Sequence, residues 1–166
     1  MITIGVDPGT QVTGYGLVSG DISCMTCLGY GAIKTTAKAP MAHRLRQVYD
    51  GLKEVFAKAR PERLSLEEAF FAKNVQSALK LGMVRGVIML AAQQEGIEVF
   101  EYSPLLIKQT VTGYGRAEKE QVRQMVKTQL RLDMPPDPID ASDALAAAIT
   151  HIIHHAALGG HARAGR

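Results

Sequence analysis

The chain has 166 residues, 46% hydrophobic and 21% charged, with 19 Lys and Arg against 16 Asp and Glu for a net charge of +3. These proportions suit one compact globular domain and exclude a disordered tail, a fibre and a multidomain assembly. The mild positive charge permits a nucleic-acid partner without requiring one. No run of ~18 apolar residues stands out, so no membrane partner is expected. Met1 leads straight into Ile2-Thr3-Ile4-Gly5-Val6 with no basic or apolar leader, which sets the expectation of a cytoplasmic protein. Cys24 and Cys27 form one C-x-x-C without a second ligand pair for zinc and read as reduced thiols.

The first apolar run, Ile2 to Val6, ends at the turn cluster Asp7-Pro8-Gly9-Thr10, and Gly14 to Val18 reads as the return strand of a hairpin. A third strand fits between Cys24 and Lys34. After Pro40 the period changes: Met41, Leu45, Val48, Tyr49, Leu52, Val55 and Phe56 fall at helical spacing, closed by Pro61. Leu64 to Glu67 is a short strand. Asn74 caps a long helix running toward Gly96, with an apolar stripe of Val75, Leu79, Met83, Val87 and Leu90.

Ile97 to Tyr102 reads as a strand, and Ser103-Pro104 opens a short helix to Thr110. Ala117 to Leu130 is helical, with Val122, Met125, Val126 and Leu130 inward. Pro135, Pro136 and Pro138 make a stiff connector, and Asp140 to about Leu158 is the last helix. The order predicts an α/β domain over residues 1–158: a mixed sheet of three hairpin-connected strands, then parallel strands separated by helices. Residues 159–166 read as a flexible basic tail.

Four acids draw attention. Asp7 and Glu67 end strands, where sites form in open α/β sheets, and Asp140 and Asp143 open the last helix. Brought together, four carboxylates repel, and two divalent cations cancel their charge. Oxygen-only ligands select Mg2+ or Mn2+. Such a pair activates a water, stabilises a leaving oxygen and clamps a phosphate for in-line displacement. Each acid also has an ordinary reading. Asp140 with Asp143 fits a helix cap, and Asp7 fits a turn. Glu67 is harder to dismiss, since a carboxylate closing an apolar strand is uncommon without a partner. Periodicity does not choose between Glu67 and Glu68.

Four blocks in order then carry a resemblance: Gly5-Val6-Asp7-Pro8-Gly9 with Thr13-Gly14-Tyr15-Gly16; Glu67 with Phe70 and Ala72-Lys73-Asn74 leading into Ser77 to Gly82; Val99 to Tyr102 with Lys108 to Val111 and Ala117-Glu118-Lys119; and Asp140 to Leu145 with Ile149-Thr150-His151. From about Ile2 to His151 the chain resembles the RuvC family of bacterial Holliday-junction resolvases, within the ribonuclease H-like superfamily. The resemblance implies a homodimeric endonuclease that resolves four-way DNA junctions by paired symmetric nicks in recombination and repair. It implies two Mg2+ or Mn2+ ions per active site on Asp7, Glu67, Asp140 and Asp143, and so favours Glu67 over Glu68. It also implies Lys119 as acid/base helper, Lys108 beside the DNA backbone, 5′-phosphate and 3′-hydroxyl ends, a thymine-rich preference, and work alongside the RuvA–RuvB branch-migration complex.

Phe70 matches a family aromatic on the loop that meets unpaired bases, where aromatic faces stack. Arg116 and Lys73 are further candidate DNA contacts, and Arg123 and Lys127 extend the basic surface. Gly82 and Gly86 share a face of the long helix. Mid-helix glycine costs ~1 kcal/mol against alanine, so this pair points to a close approach, by resemblance across a dimer. His151, His154 and His155 have helical spacing, but His151 lies ~12 Å along the axis from Asp143, and the trio reads as an exposed polar face or a separate adventitious site. Asp7-Pro8-Gly9-Thr10 also fits the phosphate loop of an actin-like ATPase or sugar kinase. A related nuclease acting on RNA and a non-catalytic junction-binding module are the remaining alternatives.

Overall fold

A computed structural model of the chain describes residues 1–68 and 74–162, with side-chain burial described through residue 156. The strands are β1 (Ile2–Asp7), β2 (Val12–Asp21), β3 (Cys24–Lys34), β4 (Arg63–Glu67) and β5 (Glu98–Tyr102). The helices are α1 (Met41–Ala59), α2 (Val75–Gln94), α3 (Pro104–Thr112), α4 (Lys119–Gln129) and α5 (Ile139–Ala162). The sheet runs β3-β2-β1-β4-β5. Strands β1, β2 and β3 pair antiparallel, while β4 lies parallel to both β1 and β5. This is the expected mixed sheet.

Alternation along the strands splits the core into two layers. Ile4, Val6, Leu17, Leu64 and Leu66 pack with Val48, Leu52 and Phe56 of α1 and with Val84 and Ile88 of α2. On the other face, Val18 packs with Leu145, Ile149 and Ile152 of α5 and with residues of α3 and α4. There α5 lies directly on the backbone. A Cβ at Gly5 would stand 1.8 Å from the Ala144 carbonyl oxygen, and one at Gly14 would stand 2.0 Å from that of Asp140. Glycine is therefore required at both positions. Ser65 fastens the same contact by donating to the Ala147 carbonyl at 2.7 Å.

Several expectations are corrected. The stripe on α2 faces outward: Val75, Leu79, Met83 and Leu90 are exposed, and the sheet-facing side is Val84, Arg85, Ile88, Ala91 and Ala92. Periodicity found a stripe but not its direction, because both sides of this helix are apolar. For the same reason α2 is long and apolar enough, by length and composition, to pass for a membrane span, contrary to the expectation that no segment would. Met125 is part-exposed at the rim, and α5 continues to Ala162, past the expected end at Leu158.

His151 is not on an exposed face. It is fully buried, with Tyr102 hydroxyl 2.9 Å from its Nδ1 and the Phe100 ring 4.3 Å away between centroids. The apolar turns of α5 on either side carry it into the core. Arg123 is not free basic surface either, because its Nε donates to the Pro136 carbonyl at 2.7 Å.

Candidate active site

The site grows out of the glycine contact. Asp7 lies two residues beyond Gly5 on β1, and Glu67 lies two beyond Ser65 on β4. Gly5 pairs with Ser65 in parallel register, so both carboxylates reach the α5 face at neighbouring strand ends. On α5, Asp143 stands one turn before Ala147, the residue held by Ser65. Close helix–sheet packing thus converts distant sequence positions into one acidic cavity.

Asp7, Glu67 and Asp143 line this cavity with Lys108, Lys119, Pro104, Ile107, Val122 and Ala146. Ser103, whose side chain accepts from the Leu106 N–H, caps α3 at the rim. The volume is about 110 Å³, below the roughly 300–1,000 Å³ of small-molecule sites. That size suits ions and waters around a phosphate.

The electrostatics are those of crowded acids. Burial pushes the Asp7 carboxyl up to about 8, reinforced by the charges of Asp143 and Glu67 and, last, Asp140, while Lys119 opposes the rise. Glu67 is also raised, by burial first and then by Asp143, against Lys119, Lys108 and Arg85. Lys119 answers this charge: its Nζ donates to Asp143 Oδ2 at 2.7 Å. That hydrogen bond, opposed by partial burial, raises the lysine pKa and keeps it charged.

Asp140 is half-buried one turn before Asp143 and does not line the cavity; its charge reaches Asp7. Among the described residues, no three acidic, histidine or cysteine side chains already stand gathered around an ion position. The donor chemistry nonetheless fits hard divalent cations. The three lining acids offer only oxygen, and their mutual repulsion is what cations would relieve. Arg116 is exposed on the loop before α4. Phe70 and Lys73 lie outside the described residues.

One residue escaped the sequence reading. Arg85 of α2 is buried and donates to the backbone carbonyl of Glu67 and to the carboxylate of Glu101. A lone charge inside Gly82-Met83-Val84-Arg85-Gly86-Val87-Ile88 was the available signal, because arginine is rarely buried unpaired.

The sequence model of the family described as "Crossover junction endodeoxyribonuclease RuvC" matches residues 3–151. A protein of that name from Ruminiclostridium cellulolyticum is 50% identical over 151 residues, 91% of each chain. Another from Heliobacterium modesticaldum is 47% identical, covering 90% of this chain and 92% of the relative. Among solved structures, T. thermophilus RuvC in complex with Holliday junction substrate superposes with a TM-score of 0.89 at 34% identity, covering 96% of both chains. On this match across nearly its whole length, the chain belongs to the RuvC family of crossover junction endodeoxyribonucleases.

Proposed function

We propose that this protein is a divalent-metal-dependent endonuclease that resolves four-way DNA junctions by paired symmetric nicks. One observation carries the reading: in a chain of this family, Asp7, Glu67 and Asp143 share a small cavity with Lys108 and Lys119. Asp7, Glu67 and Asp143, with Asp140 beside them, would hold two Mg2+ or Mn2+ ions. Those ions, when bound, supply an activated water and neutralise charge on the scissile phosphate and leaving oxygen.

The chain's own groups then orient the substrate. Lys119, already charged against Asp143, stands ready to donate to a phosphate oxygen or leaving group, and Lys108, which lines the same cavity from α3, would pair with the phosphate. Phe70 and Lys73, as the family resemblance implies, would meet unpaired bases and backbone beyond β4, with Arg116 extending the contact.

The protein would act as a homodimer through the outer face of α2. Val75, Leu79, Met83 and Leu90 form an exposed apolar stripe, and a Cβ at Gly82 or Gly86 would meet nothing within 4 Å. Such a patch marks an interaction site, and a twofold axis there would give one nick per subunit. The branch-migration complex RuvA–RuvB is the further partner, and the cytoplasm the compartment, that the family resemblance supports.

The deciding experiment compares a four-way DNA junction, a linear duplex and a structured RNA, each with Mg2+ and with EDTA, for wild type and Glu67→Gln. Junction-selective cleavage that needs the metal and Glu67 supports the reading. Preferential cleavage of RNA, or junction binding without cleavage, overturns it in favour of one of the two alternatives.

A further inference from the structure

Arg85 is 9% exposed, and burying a guanidinium is costly unless it is paired and hydrogen-bonded. Its pairing is specific. One terminal nitrogen donates to the backbone carbonyl of Glu67 and the other to Glu101 Oε1. These acceptors lie on adjacent parallel strands, with Glu101 opposite Leu66 in the β4–β5 register. The guanidinium fork spans both strands in one plane. It does so where β4 ends, immediately before the chain leaves the sheet. A slip of one residue there would exchange Glu67, facing the cavity, for the exposed Glu68.

We propose that Arg85 is the positioning residue for Glu67: by clamping the Glu67 carbonyl to Glu101 it fixes the end of β4 and thereby where the Glu67 carboxylate stands in the cavity. The inference rests on the nuclease reading above and assigns Arg85 no contact with substrate. A neutral side chain of similar length would fill the space without the clamp. Lysine would keep the charge but could not reach both acceptors with a planar fork.

The test compares wild type, Arg85→Met and Arg85→Lys by three measurements: calorimetric titration with Mn2+, single-turnover cleavage of a four-way junction, and junction affinity in EDTA. Removing an outer support of a metal ligand typically costs 10–100-fold. Arg85→Met should therefore bind Mn2+ and cleave each about 10–100-fold more weakly, with junction affinity within about twofold of wild type. Arg85→Lys should restore neither property. If Arg85→Met does not fold, Arg85→Lys decides by the same two readings. Wild-type Mn2+ binding in a cooperatively melting Arg85→Met, or full rescue by lysine, overturns the proposal. A wild type that binds Mn2+ but never cuts junctions overturns the nuclease reading instead, and calorimetry still decides Arg85. A wild type that binds no Mn2+ overturns both.

Discussion

Lys119 of α4 donates from Nζ to Oδ2 of Asp143 on α5 at 2.7 Å, joining two helices at the mouth of the acidic cavity. The lysine side chain is 64% exposed and the aspartate 15%. The pair is therefore open to solvent on the lysine side, where a phosphate would approach. Replacing Lys119 with methionine should slow junction cleavage by about 10²–10³-fold, the usual cost of losing one transition-state donor. Arginine should recover part of the loss. Single-turnover rates decide, and an undiminished rate in the methionine variant removes Lys119 from the chemistry.

Asp7 predicts how the metal-free protein responds to pH. Its native pKa of about 8 exceeds the unfolded value of ~3.9. Between those values the native state keeps a proton that the unfolded state releases, so stability falls as pH rises. Asp7→Asn has no such proton. In EDTA at pH 8 it should melt well above wild type, since a pKa raised by about four, at ~1.4 kcal/mol per pH unit, amounts to several kcal/mol, and each kcal/mol is worth roughly 2–4 °C at this size. The difference should close toward pH 4. Parallel melting curves across that range would falsify the burial argument, and the variant should have lost cleavage in any case.

His151 gives the opposite slope. Burial, with help from the charges of Arg63 and His155, lowers its pKa to about 4, against ~6.5 unfolded. As pH falls through 6.5 the unfolded chain gains a proton that the native ring refuses. Full stability is thus present above pH 6.5 and is lost toward pH 4, by up to ~1.4 kcal/mol per unit. His151→Phe should flatten the melting curve over that interval. A variant as acid-sensitive as wild type assigns the loss to other groups.

Lys108 should appear in the salt dependence of binding. Each duplex phosphate contact contributes about −0.9 to the log–log slope of affinity against salt. Lys108→Ala should make that slope shallower by roughly one. Equilibrium titrations at several salt concentrations measure it, and an unchanged slope takes Lys108 off the DNA surface.

The outer face of α2 is tested by Leu79, which is 61% exposed. A glutamate there leaves the monomer core untouched but buries a charge in any α2–α2 contact. Leu79→Glu should shift the protein from dimer to monomer in sedimentation velocity, at nearly unchanged melting temperature for the separated chain. It should also uncouple the two nicks. A variant that remains a dimer places the subunit contact elsewhere.

The amino-acid order by itself determined much of this protein. Turn residues, caps and periodicity defined β1 to β5 and the five helices, because those signals are local. The four blocks from Gly5 to His151 were enough to recognise the family and to single out Asp7, Glu67, Asp140 and Asp143. Tertiary structure decided what local patterns cannot encode. The α2 stripe turned outward because both of its sides are apolar and only the sheet selects one. His151 went into the core because α5 sets it against Phe100 and Tyr102 of β5, while the same helix lies flush on Gly5 and Gly14, a fit between segments more than a hundred residues apart in sequence. The same fit brought Asp143 to Asp7 and Glu67, and left Asp140 one turn short of the cavity wall. Arg85 gained its partners only when β4 and β5 came side by side, since its two acceptors lie 34 residues apart and neither announces the other in the chain.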